Sequence, residues 1–161
     1  MDGNATLTRV DSQIDFDWST GPITSSQSDF VSVRWSGFIR GPLNESITLS
    51  VRADNGVRVY FDYELVIDAW STPLEEPFAI VEMMKDKFYE LTVEYKEEEE
   101  EASISLFWSS FSISKELIPS TALYHPQYVD KSPYSVHVFE GVTTPHLSVA
   151  SGAGLANATA G

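Results

Sequence analysis

The sequence predicts an all-β fold of antiparallel strands, a sandwich or a barrel, on three observations. Apolar residues recur with period two through most of the chain, turn-forming residues separate the runs, and no window carries a capped i, i+3, i+4 apolar stripe. Many short strands at this spacing close on themselves or stack as two layers, because few edges can then stay open.

Val31, Val33 and Trp35 give a strand that ends near Gly41-Pro42. Ile47, Leu49, Val51 and Ala53 alternate with Thr48, Ser50 and Arg52, and Val57, Val59 and Phe61 alternate with Arg58 and Tyr60. Tyr89, Leu91, Val93 and Tyr95 interleave with Glu90, Thr92 and Glu94, and Ala102, Ile104, Leu106 and Trp108 run into a Ser-rich stretch from Ser109. Each reads as a half-buried antiparallel strand, since alternation puts the whole apolar set on one face. After Tyr124 the texture changes: His125 to Pro133 holds two prolines among polar residues, the composition of a short, stiff connection. Tyr134 to Phe139 then gives one more strand, followed by a Gly/Ala/Thr-rich stretch to Gly161 too short for its own core. The expected organisation is a domain over 1–124, a linker over 125–133 and part of a second domain over 134–161.

Length and composition fit one such domain: 161 residues, 42% apolar and 21% charged. Against 24 carboxylates stand only 10 Lys and Arg, a net charge of −14 that repels phosphate backbones and anionic lipid. Nucleic acid is therefore not an expected partner, while metal cations and basic proteins are left open by the charge. No run of about 18 apolar residues exists and the start, Met1-Asp2-Gly3-Asn4, is not a signal stretch, so neither membrane insertion nor an export signal is expected within the chain.

Catalytic chemistry finds little support. Without cysteine there is no thiolate nucleophile and no Cys-ligated metal. His125, His137 and His146 lack zinc spacing, no Gly-x-Ser-x-Gly elbow occurs, and Gly152-Ala153-Gly154 lacks the third glycine and following helix of a dinucleotide loop. No enzyme activity is expected. Asn-x-Ser/Thr triplets at Asn4, Asn44 and Asn157 lean towards an extracellular or cell-surface protein, with a cytoplasmic structural assembly as the alternative.

Ile14-Asp15-Phe16-Asp17-Trp18, Val33-Arg34-Trp35-Ser36-Gly37-Phe38-Ile39, Ala53-Asp54-Asn55-Gly56-Val57-Arg58-Val59-Tyr60-Phe61-Asp62 and Leu65-Val66-Ile67-Asp68-Ala69-Trp70 follow one another in order. With Val93-Glu94-Tyr95, Leu106-Phe107-Trp108-Ser109 and Ile118 to Tyr124, they resemble the protective-antigen (PA-14) domain family. The resemblance implies a lectin-like antiparallel β-sandwich, found in toxins, yeast adhesins and glycosidase insertions, that binds or adheres and does not catalyse. It also implies a strand before Leu7, which is not expected within this chain, so that an open sheet edge is an expectation. Ser132 to Val138, Ala150 to Leu155 and Ala158 to Gly161 are similar to the first strands of a filamin-type immunoglobulin-like repeat, which implies neighbouring filamin-type repeats in the same polypeptide.

In sugar-binding members of the resembled family, two adjacent Asp at the position of Asp54-Asn55 hold calcium, through which sugar hydroxyls bind. Here Asp54 is kept and Asn55 offers a carbonyl oxygen without charge, so affinity for calcium should fall without vanishing. The later Asn- and Gly-bearing loop is replaced by Lys96-Glu97-Glu98-Glu99-Glu100-Glu101. Those carboxylates could add ligands or crowd a sugar out, or simply form a solvated, self-repelling hairpin loop. Asp54-Asn55-Gly56 likewise has the composition of a tight turn.

Among the tryptophans, Trp35 and Trp108 lie in phase with their strands' apolar faces and are expected in the core, while Trp70, beside Asp68, is the candidate rim residue of a sugar site. The expected site is thus Asp54, Asn55 and Trp70, with Asp54 and Asn55 holding calcium and a glycan or another protein as partner. The competing expectation is a structural or protein-interaction spacer of a large modular protein, its acidic loop docking a basic partner.

Overall fold

The computed structural model describes residues 5–25, 27–72 and 74–125. The chain divides into two compact units, Met1–Gln127 and Tyr128–Gly161, and the described residues all belong to the first. The linker from Pro126 on, the filamin-like segment with Tyr134 to Phe139, and His137, His146, Asn4 and Asn157 lie outside the described residues.

Ten strands form among the described residues: β1 (Asp15–Ser19), β2 (Val31–Arg40), β3 (Glu45–Ala53), β4 (Gly56–Phe61), β5 (Glu64–Ala69), β6 (Phe78–Met83), β7 (Phe88–Glu97), β8 (Ala102–Ser109), β9 (Glu116–Leu117) and β10 (Leu123–Tyr124). They make two five-stranded sheets, one in the order β1-β8-β3-β6 with β9 also on β8, the other in the order β10-β2-β7-β4-β5. Every pairing is antiparallel. The only helical element among the described residues is a single 3-10 turn, Ser120–Ala122.

The five alternations read from the sequence become β2, β3, β4, β7 and β8, and their apolar sets meet between the sheets. Ile47, Leu49 and Val51 of β3, Ile104 and Leu106 of β8, Val57 and Val59 of β4 and Val93 of β7 are all buried there. Burying one such side chain stabilises the fold by about 1.5–3 kcal/mol, so this shared interior carries the two sheets. β1, at one edge, pairs only with β8 among the described residues.

The tryptophans divide. Trp108 is buried, and its indole N–H donates to Glu116 Oε1 at 3.0 Å. Trp35 packs against the core but is only half-buried, which corrects its placement in the interior. It sits where the sandwich opens beside β2, lining cavities of about 580 and 490 Å³ together with Arg9, Asp11 and Arg34. Its N–H donates to Asp11 Oδ2 at 2.9 Å.

Candidate functional site

β3 lies in one sheet and β4 in the other, so Asp54 and Asn55 alone carry the chain across. Their composition suits a tight turn, yet this is a corner between layers and not a hairpin, because β3 and β4 do not pair. Asn55 adopts φ 73°, a left-handed conformation that Asn tolerates better than most residues. Gly56 follows because no side chain fits: a Cβ there would lie 2.4 Å from Lys96 Cε and 2.6 Å from the Trp70 carbonyl oxygen. The Asp54 N–H donates to the Ser103 carbonyl at 3.0 Å, and the Asp54 side chain is exposed.

Beneath the corner lies a carboxylate. β7 buries Tyr89, Leu91, Val93 and Tyr95, and the next residue in that phase is Glu97, which is only 2% exposed. The Tyr95 hydroxyl donates to Glu97 Oε2 at 2.6 Å, and Asn55 Nδ2 donates to Oε1 and Oε2 at 3.1 and 3.3 Å. Asn55 Nδ2 also lies 3.4 Å from Asp54 Oδ1, so one amide touches both acids. No Lys or Arg pairs with Glu97 among the described residues. Burial pushes its carboxyl above the usual range, helped by the Asp54 charge and opposed by the bonds from Tyr95 and Asn55. Burial and then Glu97 push the Tyr95 phenol up as well, so it stays protonated and donating.

The acidic run is therefore not one solvated hairpin loop. Glu97 closes a strand and is buried, and the residues after it cross from one sheet to the other. Glu98 pairs with Lys96 Nζ at 2.6 Å, and its carbonyl accepts the Phe30 N–H at 3.1 Å. Glu99, Glu100 and Glu101 are exposed and make no salt bridge among the described residues.

Trp70 abuts the corner through its carbonyl at Gly56 and is half-buried. The Arg58 guanidinium and Lys96 ammonium stand 5.0 and 5.7 Å from its ring centroid, so cations already occupy the ring. The Trp70 backbone N–H donates to Asp68 Oδ1 at 3.2 Å; that bond, with the Arg58 guanidinium, holds the Asp68 carboxyl below its ordinary value.

Calcium takes six to eight oxygens from carboxylates, amides and backbone. Asp54, Glu97 and Asn55 supply the types required, but no group of three or more His, Cys, Asp or Glu side chains gathers among the described residues. Asn55 also presents its NH2, not its oxygen, to Glu97. Holding calcium requires that amide to turn over, exchanging Nδ2 for Oδ1. On that condition the corner offers three oxygen-bearing side chains toward the six to eight oxygens that calcium takes.

Two antiparallel sheets joined at an open polar corner define the molecule as a lectin-like β-sandwich. The chain belongs to the PA14 domain family, whose model matches residues 1–122. It is 40% identical over 118 residues to anti-sigma-I factor RsgI3 of Acetivibrio thermocellus, covering 72% of this chain and 18% of that protein. It is 29% identical over 116 residues to protective antigen of Bacillus anthracis, covering 70% of this chain and 14% of that one. The chain thus spans less than a fifth of the length of these relatives. Among solved structures, an anti-sigma factor domain-containing protein from Clostridium clariflavum superposes with a TM-score of 0.70 at 34% identity, over 76% of this chain and 42% of that one. The A domain of epithelial adhesin 6 from Candida glabrata, in complex with Galb1-3GlcNAc, does so at 0.58 and 12% identity over 78% and 72%, which shows the shared fold alone. No helix among the described residues is long and apolar enough to cross a membrane.

Proposed function

We propose that this chain is a non-catalytic recognition module of a longer protein, binding a glycan at the corner formed by Asp54, Asn55 and Glu97. The observation that supports it is an exposed Asp54 and a half-buried Asn55 set over a buried carboxylate with no basic partner among the described residues. A buried anion without a counter-cation is costly, and a bound cation would relieve it. With calcium there, Asp54, Glu97 and the turned Asn55 amide would hold the ion, which supplies positive charge to sugar hydroxyls. Lectin-like neighbours solved with disaccharides agree in fold, and the adhesin and toxin-component neighbours suit an extracellular or cell-surface position. The anti-sigma factor relatives suit a module that reports what it binds to the rest of its protein.

The test is calcium titration followed by tryptophan fluorescence, with a glycan array read in calcium and in chelator. Binding that appears with calcium and vanishes with chelator supports the proposal. No response at millimolar calcium together with an empty array removes it.

A second proposal, docking of a basic protein, rests on the unpaired, exposed Glu99, Glu100 and Glu101. Replacing all three by Gln should weaken capture of a polylysine-coated surface and flatten its salt dependence. Unchanged capture counts against it.

A further inference from the structure

Four non-glycine residues at one end of the sandwich have left-handed backbones: Ser19 at φ 50°, Phe30 at 54°, Asn55 at 73° and Glu100 at 85°. Strand register puts them together, for Ser19 opposes Ala102, Val31 opposes Glu97 and Gly56 opposes Lys96. Three of the four have an evident reason. Ser19 donates from its N–H and hydroxyl to Asp17 Oδ1, Asn55 bonds Glu97, and Glu100 lies in the exposed bend between β7 and β8.

Phe30 is different. The residue is 74% exposed, and its ring stacks on no aromatic and under no cation among the described residues. A left-handed backbone is unfavourable for any residue with a Cβ and is an outlier for a bulky one. What holds it is its N–H, donating to the Glu98 carbonyl at 3.1 Å, one residue beyond the buried Glu97. An apolar ring is thus displayed to water, on strained backbone, tied to the strand end that carries the corner's carboxylate. Such strain collects where a ligand is held.

We propose that Phe30 is the stacking platform for a neutral sugar ring seated at the Asp54-Asn55-Glu97 corner, and that it selects ligands with an apolar C–H face. This rests on the glycan-binding proposal above. The placement suits it: β2 and β4 flank β7, so Phe30 and Asn55 stand on either side of the Glu97 strand end. Two strand spacings separate them, about 10 Å, a span that a disaccharide covers. The polar corner would take hydroxyls while the ring takes the opposite, apolar side of the neighbouring sugar.

The test compares wild type with Phe30→Gly and Phe30→Trp on an array of neutral disaccharides, Galβ1-3GlcNAc among them, in millimolar calcium, with thermal unfolding measured alongside. Phe30→Gly should lower binding of the best disaccharide by about tenfold or more and raise the unfolding midpoint, since Gly adopts this backbone freely. Phe30→Trp should retain binding, and the calcium response should be the same in all three. Unchanged disaccharide binding by Phe30→Gly overturns the platform while leaving the glycan proposal standing. A lowered midpoint overturns it too, because the ring would then be packing and not waiting. A wild type that binds no disaccharide removes both.

Discussion

Asp54 and Asn55 turn the chain between β3 and β4, and Asp62 and Tyr63 turn it between β4 and β5. The two pairs share an Asp, a left-handed backbone and strands on both sides: φ is 73° at Asn55, 49° at Asp62 and 71° at Tyr63. Their surroundings differ. β4 and β5 pair with each other, so Asp62-Tyr63 is a hairpin turn of the kind that needs two positive φ values, and that need accounts for it. Both of its side chains are exposed. Asp54-Asn55 joins two sheets, and the Asn55 amide reaches a carboxylate 42 residues further along the chain. Turn composition alone, then, does not tell the two apart; a buried carboxylate facing one of them does.

The largest expected difference is in stability. Asn55→Ala removes the donor to Glu97 and puts an ordinary Cβ into left-handed backbone, which should cost about 2–4 kcal/mol in urea unfolding. Tyr63→Ala should cost less than about 1 kcal/mol. Equal losses would erase the distinction between the turns. Next is metal affinity. Asn55→Asp adds a third carboxylate to Asp54 and Glu97 at the corner and should tighten calcium binding by about tenfold, read by fluorescence titration, whereas the same titration should not respond to Asp62→Asn.

The stability of the corner should also depend on pH. Because the Glu97 carboxyl is raised by burial, the folded protein holds that proton more tightly than the unfolded chain. The stability it contributes is fully present below the ordinary carboxylate pKa and is lost as pH rises through the raised, folded value. Glu97→Gln should flatten that decline, measured as the urea midpoint from about pH 4 to 8. A slope identical to wild type would place the titrating group elsewhere. The smallest effect sharpens the contrast: Tyr63→Gly should stabilise by about 0.5 kcal/mol as strain is relieved. Asn55→Gly relieves the same strain yet should destabilise, since it forfeits the bonds to Glu97.

Legibility in the sequence follows the same divide. β2, β3, β4, β7 and β8 could be read because one of their faces is apolar and the other polar. β6 could not: Phe78 and Ile80 are exposed while Val81 and Met83 are buried, so apolar residues occupy both faces and the alternation disappears. β5 runs Leu65-Val66-Ile67 across exposed, half-buried and buried positions beside a register shift in β4, which hides it in the same way. Asp54, Asn55 and Trp70 do come together at one corner, though Trp70 is already covered by Arg58 and Lys96. Glu97 was missed within its charge run, although its signal was present, as the fifth member of the series Tyr89, Leu91, Val93, Tyr95.

By itself the sequence determined which segments extend and which side of each seeks the interior, because a period of two is set by residues adjacent in the chain. Only the tertiary structure decided which sheet each strand joins, that a turn-like Asp-Asn-Gly crosses between sheets, and that one glutamate of a solvated-looking run lies buried under it. Those outcomes depend on partners tens of residues away, and the cost of a buried charge depends on what surrounds it rather than on the residues beside it in the chain.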